Sequence, residues 1–301
     1  MNPPQWQSAF LARHRLPDSY LAYAQQWFAP LAGVLAAHQE NAKRPVLVAM
    51  NGSQGSGKTT VCDYLRETLE TDHDLRVASL SLDDFYLTRE QRQDISTSIH
   101  SLLVTRGVPG THDMALLQAT INDLTASTGK TIAIPRFDKS IDDRLGSQDW
   151  DNIAGPVDLV LLEGWCLGVK HQDEAALELP INRLESDEDS QGEWRRYVNA
   201  TVKRDFEPLY ELVDQWVMLC APSFDCVYRW RLQQEHRLAQ ATATGAANQI
   251  MTDAQVARFI QYYERLTRQC LDQLPDCVNH LYRLDEQRQV ICEFHQESAA
   301  Q

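Results

Sequence analysis

The stretch Pro45-Val-Leu-Val-Ala-Met-Asn-Gly-Ser-Gln-Gly-Ser-Gly-Lys-Thr59 decides the fold. Its first half, 45–50, is apolar without alternation, the pattern of a short strand buried on both faces. Its second half, Gly52 to Thr59, fits G-x-x-x-x-G-K-S/T at every fixed position. Glycines there let the backbone turn tightly and aim successive N–H groups inward, where a helix amino terminus can hold phosphate oxygens. Only 13 glycines occur in the chain, and three of them (Gly52, Gly55 and Gly57) fall in this loop with Ser53, Gln54 and Ser56 between them. Lys58 is expected to reach the β- and γ-phosphates, the Thr59 hydroxyl to ligate Mg²⁺, and Thr60 to complete the cradle. The motif implies binding of a nucleoside triphosphate, because a strand runs into the loop and a helix-like stretch, 59–70, leaves it.

Outward from the loop, strand signals recur at 76–82, 131–134, 157–162 and 215–219, with helix-like stretches between several of them. That alternation predicts an α/β fold with a mainly parallel sheet. Residues 8–40 read as helical, with breaks at Pro17 and Pro30, and long helices are expected at 196–213, 223–241 and 253–274. The tail, 277–284 and 289–294, reads as a hairpin. The acid cluster Glu185-Ser-Asp-Glu-Asp189 reads as a solvated loop. No linker divides the chain, so one domain over 1–301 is expected: a helical extension (1–44), then a core (45–295) with inserted loops.

The chain has 301 residues and a formal net charge of −14, so its average field repels phosphate. General binding to nucleic acid or to anionic membranes is excluded on that ground, and an anionic ligand needs a local basic pocket. Seven scattered cysteines, without zinc spacing or a C-x-x-C pair, read as reduced thiols. With no secretory signal and no apolar run near the ~20 residues of a bilayer span, a cytoplasmic location is expected.

Acids punctuate the strand ends. The 157–162 strand runs into Glu163, placed for a metal ligand or an organiser of an attacking hydroxyl. The 76–82 strand runs into Asp83-Asp84-Phe85-Tyr86, where a carboxylate beside the γ-phosphate can take a proton from an acceptor hydroxyl. Basic residues follow in polar loops: Arg106 with His112 in Arg106-Gly-Val-Pro-Gly-Thr-His-Asp113, then Arg136, Asp138, Lys139 and Arg144. Arginine forks suit the grip of a carboxylate. The helix at 223–241 carries Arg229, Arg231 and Arg237; their spacing does not put all three on one face, so only some can meet the phosphates. No Asn-Lys-x-Asp guanine-reading motif follows the loop, which weighs against a GTPase.

These pieces, in this order, resemble the P-loop kinases of the phosphoribulokinase, uridine kinase and pantothenate kinase group, and more specifically the D-glycerate 3-kinase family. The resemblance is carried by Gly52–Thr59, Ser81-Leu-Asp-Asp-Phe-Tyr-Leu-Thr88, the 106–113 and 134–139 segments, Leu162-Glu-Gly-Trp165 and Trp230-Arg-Leu-Gln-Gln-Glu235. It implies a five-stranded parallel core wrapped by helices, with Asp83 as base, Glu163 near Mg²⁺, and a helical lid bearing Arg229 and Arg231. The acceptor is expected among Asp84, Tyr86, Arg106, His112, Arg136, Asp138, Lys139 and Arg144. Between Lys139 and Arg144 the chain is shorter than in plant-type members. The leading expectation is direct transfer from ATP·Mg²⁺ to the 3-hydroxyl of D-glycerate, an anionic hydroxy acid. The alternatives are a kinase of the same class for pantothenate, a nucleoside or a sugar, and a regulatory ATPase module that switches a partner. The oligomeric state is not readable from the sequence.

Overall fold

The apolar run of the phosphate loop becomes the middle strand of a sheet, and its lack of alternation follows from that position. In the computed structural model, which describes residues 5–126, 129–241 and 251–295, strand β1 (Val46–Gly52) is buried along its whole length. Leu47 and Ala49 feed the core on one face of the sheet, while Val46, Val48 and Met50 feed the core on the other. Both faces need apolar side chains because helices cover both.

In chain order the remaining strands are β2 (Val77–Ser81), β3 (Thr131–Ile134), β4 (Phe137–Asp138), β5 (Asp143–Arg144), β6 (Asp151–Ala154), β7 (Leu159–Gly164), β8 (Gln215–Cys220), β9 (His280–Leu284) and β10 (Val290–His295). The main sheet runs β10-β9-β8-β1-β7-β2. Five neighbours in it are parallel and β10 is antiparallel to β9. The expected five-stranded parallel core is therefore present, but its fifth strand is β9, which is also the first arm of the tail hairpin. The segment at 131–134 is a strand as expected and stands outside the main sheet, paired antiparallel with β6.

The helices are α1 (Gln5–His14), α2 (Ser19–Trp27), α3 (Ala29–Ala42), α4 (Lys58–Asp72), α5 (Arg89–Ser98), α6 (Met114–Thr125), α7 (Glu174–Leu177), α8 (Arg183–Glu188), α9 (Glu193–Thr201), α10 (Glu207–Tyr210), α11 (Phe224–Ala241) and α12 (Asp253–Gln273). Pro17 lies in the α1–α2 connection, but Pro30 sits in the first turn of α3, where a missing N–H leaves no bond unmade. The long helix expected at 196–213 is interrupted. A five-residue π-helical segment, Val202–Phe206, separates α9 from α10, and Pro208 stands just beyond it. Proline cannot donate to the preceding turn, and the wider π turn absorbs the mismatch.

The acid cluster at 185–189 is a helical turn rather than a loop, and only its middle, Ser186 to Glu188, is solvated. Glu185 and Asp189 are buried: Glu185 is ion-paired with Arg265 at 2.6 Å, and Asp189 with the buried Arg195 at 2.9 Å. Each carboxylate has a guanidinium from a neighbouring element, which is what permits its burial. All seven cysteines are free thiols, five of them buried.

Candidate active site

Register brings the chemistry together. Met50, Glu163 and Ser81 are neighbours in one row across β1, β7 and β2, and Gly52 pairs with Leu219 of β8. The phosphate loop, Glu163 and Asp83 therefore all emerge at the carboxyl ends of the parallel strands, where open α/β sheets place their ligands. A cleft of about 800 Å³ opens there. Gln54 to Thr60 line it together with Ser81, Asp83, Asp84, Lys139, Glu163, Arg231, Arg237 and Arg288.

The loop keeps the geometry that its glycines permit. Gly55 and Gly57 have φ of +76° and +94°, in the left-handed region that side chains disfavour. A Cβ at Gly55 would also stand 2.9 Å from Cβ of Trp230. Ser53 and Ser56 hold buried hydroxyls without hydrogen-bond partners. Orphaned buried donors beside a helix amino terminus fit a phosphate, which would satisfy them.

The donor set below the loop is all hard oxygen. The Thr59 and Ser81 hydroxyls donate to Oε1 of Glu163 at 3.0 and 2.8 Å, and Lys58 Nζ lies 3.6 Å from Oε2. A hydroxyl and a carboxylate beside a phosphate cradle fit Mg²⁺, which prefers a few protein oxygens with substrate phosphates completing its shell.

Asp83 is held from two sides. Lys139 Nζ donates to Oδ2 at 2.6 Å and the Tyr86 hydroxyl to Oδ1 at 2.8 Å. Burial pushes its pKa up, but the ammonium groups of Lys139 and Lys58, together with these two hydrogen bonds, hold it well below the usual carboxylate range. Reciprocally, the Asp83 charge raises the Lys139 pKa against the opposing effect of burial. Asp84 behaves differently. Burial raises its pKa, although it accepts from Arg136 at 2.8 Å and from the Phe137 amide at 3.1 Å.

Several expected acceptor residues stand behind the cleft rather than in it. Tyr86 is buried and reaches the site only through Asp83. His112 is 6% exposed, its ring 4.6 Å from that of Tyr86 and tilted 30° to it. Burial lowers its pKa to about 4, so it is a neutral packing group beside Tyr86. Asp138 accepts from the Ser140 amide at 2.7 Å and thereby closes the turn between β4 and β5. Arg106 is ion-paired with Asp142, and Arg144 with Asp113, which caps α6. Arg136 bridges Asp84 and Asp151 on the wall of an adjoining cavity of about 630 Å³, which shares Thr59, Ser81, Asp84 and Glu163 with the cleft. Each of these guanidiniums already has a carboxylate partner from the chain itself.

On α11 the two expected lid arginines separate. Arg231 lines the cleft, its guanidinium paired with Glu235 and 5.4 Å from the Phe259 ring centroid. Arg229 is half exposed, paired with Glu286 at 3.0 Å, and does not line the cleft; a two-residue step turns it about 200° around the helix from Arg231. The β9–β10 turn instead brings in Arg288. It donates to the Gly55 carbonyl at 2.7 Å and to Gln233 at 3.0 Å, and lies over the Trp230 ring at 5.1 Å. Nothing local marks Arg288 in the sequence; it reaches the loop through sheet pairing 233 residues away.

No protein-family model matches the chain. Uncharacterized kinase mug58 of Schizosaccharomyces pombe is 33% identical over 230 residues, covering 73% of this chain and 79% of that protein. The chloroplastic D-glycerate 3-kinase of Arabidopsis thaliana is 32% identical over 231 residues, covering 73% of this chain and 47% of that protein. Among solved structures, a D-glycerate 3-kinase from Cryptococcus neoformans superposes with a TM-score of 0.74 at 26% identity, covering 89% of this chain and 97% of that one. With a phosphate loop, a parallel core and these relatives, the chain belongs to the D-glycerate 3-kinase family of P-loop kinases, which implies use of ATP.

Proposed function

We propose that this kinase transfers the γ-phosphoryl group of ATP to the 3-hydroxyl of D-glycerate by direct in-line displacement. The observation that carries the reading is Asp83, held ionised in the same cleft as Lys58, Thr59 and Glu163. Phosphoryl transfer needs little covalent chemistry from a protein, so positioning and charge stabilisation do most of the work. The loop amides and Lys58 hold the triphosphate, while Thr59 and Glu163 would hold Mg²⁺. When bound, the metal would supply positive charge beside the transferred phosphoryl group. Asp83 accepts a hydrogen bond from the acceptor hydroxyl and takes its proton as the new O–P bond forms and the bond to the ADP oxygen breaks. Lys139 exchanges part of its contact with Asp83 for the acceptor carboxylate, and Arg231 neutralises charge developing on the transferred group.

A second reading, a kinase of the same class for another hydroxyl, draws on one observation. Arg106, Arg136 and Arg144 are all occupied by chain carboxylates, which leaves fewer cations for a substrate carboxylate. Release of ADP from Mg·ATP is therefore measured against D-glycerate, L-glycerate, pantothenate, uridine and ribulose 5-phosphate. Stimulation by D-glycerate alone, with 3-phosphoglycerate as product, is the expected outcome. Stimulation by another alcohol transfers the assignment to the second reading, and a flat panel removes both.

A further inference from the structure

The main cleft continues past the phosphate loop. Beyond Thr60, whose hydroxyl lies 3.3 Å from Nδ1 of His14, its lining includes Pro17 of the α1–α2 connection, Tyr20 and Tyr23 of α2, and Gln287 and Gln289 of the β9–β10 turn. Two segments about 265 residues apart in sequence are fastened together here, for the Tyr23 hydroxyl accepts from the Val290 amide at 2.9 Å. Tyr20 is seated 5.5 Å from the Tyr23 ring and 6.0 Å from the Phe10 ring, so its orientation is fixed before any ligand arrives. Arg288, between Gln287 and Gln289, also lines the cleft, but its guanidinium is engaged by the Gly55 carbonyl and Gln233; the other groups here are aromatic rings and side-chain amides, which offer little to a phosphate chain. This end suits a flat heteroaromatic ring, which gains from stacking while the amides meet its polar edge.

We propose that this end of the cleft is the nucleobase subsite, that the amino-terminal helices build one of its walls, and that Tyr20 is its stacking residue. The proposal rests on the phosphate loop holding a nucleotide and not on which hydroxyl is phosphorylated. It assigns the extension at 5–42 a share in nucleotide recognition rather than packing alone.

The test is equilibrium displacement of a fluorescent ADP derivative from the full chain, with no acceptor present, by ADP and separately by inorganic tripolyphosphate. Tyr20→Ala is expected to weaken ADP about tenfold, the size of one lost base–aromatic stack, and to leave tripolyphosphate within twofold. Tyr20→Phe, which keeps the ring face, stays within twofold for both. Tyr20→Leu keeps apolar bulk against Phe10 without a ring face and replaces the alanine variant where that one fails to fold; the same loss is expected of it. Equal weakening of ADP and tripolyphosphate, or no change in either, overturns the proposal. Because no acceptor is present, this result is independent of the D-glycerate panel.

Discussion

A carboxylate that touches one ammonium group, lies near a second and accepts from a phenol stays ionised across the whole working range of an enzyme. Asp83 is therefore always available to accept a hydrogen bond from a hydroxyl, and on the proposed mechanism an acid limb in kcat above pH 5 comes from another group. Asp83→Asn removes the acceptor but not the phosphate cradle. Turnover is expected to fall by about 10²–10⁴-fold with nucleotide affinity kept within a few fold, as steady-state rates and ADP titration would report. His112, one shell behind, gives a stability signature instead. Its folded pKa of about 4 lies below the unfolded value of 6.5, so the unfolded chain binds the extra proton. Stability from this residue is intact above pH 6.5 and declines as pH falls from 6.5 to 4. Urea unfolding at pH 7.5 and 5.0 should show the parent losing about 2 kcal/mol more than His112→Phe on acidification. An equal loss in both would mean that His112 keeps its ordinary pKa in the fold.

Among the elements, those with one periodic or unalternating signal were legible in the sequence, and those that depend on a distant partner were not. The strand at 46–52, the helices at 224–241 and 253–273 and the tail hairpin stand where local pattern put them. The acid-rich segment does not, because composition records charge and cannot record a guanidinium delivered from α12 some 80 residues on. That distant partner sets a prediction. Glu185→Gln strands part of the Arg265 charge in a buried place and should lower stability by about 3 kcal/mol, seen as a fall of several degrees in Tm. The folded fraction should keep the parent KM, since Glu185 does not line the cleft. Helix α11 divides in the same way: local spacing showed that its arginines could not all face one way, but not that Arg231 would turn inward and Arg229 outward to Glu286.

At the scale of the molecule, a chain of net charge −14 gathers Lys58, Lys139, Arg231, Arg237 and Arg288 around one cleft. Contacts within the cleft are short and little screened, whereas repulsion from the distant acidic surface acts over many ångströms. Raising salt from 0.01 to 0.15 M shortens the Debye length from about 30 to about 8 Å and should remove the repulsion first. The kcat/KM for an anionic acceptor is expected to rise modestly over that range in initial-rate measurements; a steep fall would put the cleft cations in control of encounter. Among the described residues no helix is long and apolar enough to cross a membrane. The sequence by itself determined the phosphate loop, the strand-end acids Asp83 and Glu163 and the α/β class, because each is written in contiguous residues whose backbone demands are local. Only the tertiary structure decided that Arg288 grips Gly55, that His112 lies beside Tyr86, and that the amino-terminal helices line the cleft at the phosphate loop. Those contacts join segments far apart in the chain, and no local pattern encodes a partner that sheet register and helix packing must first bring near.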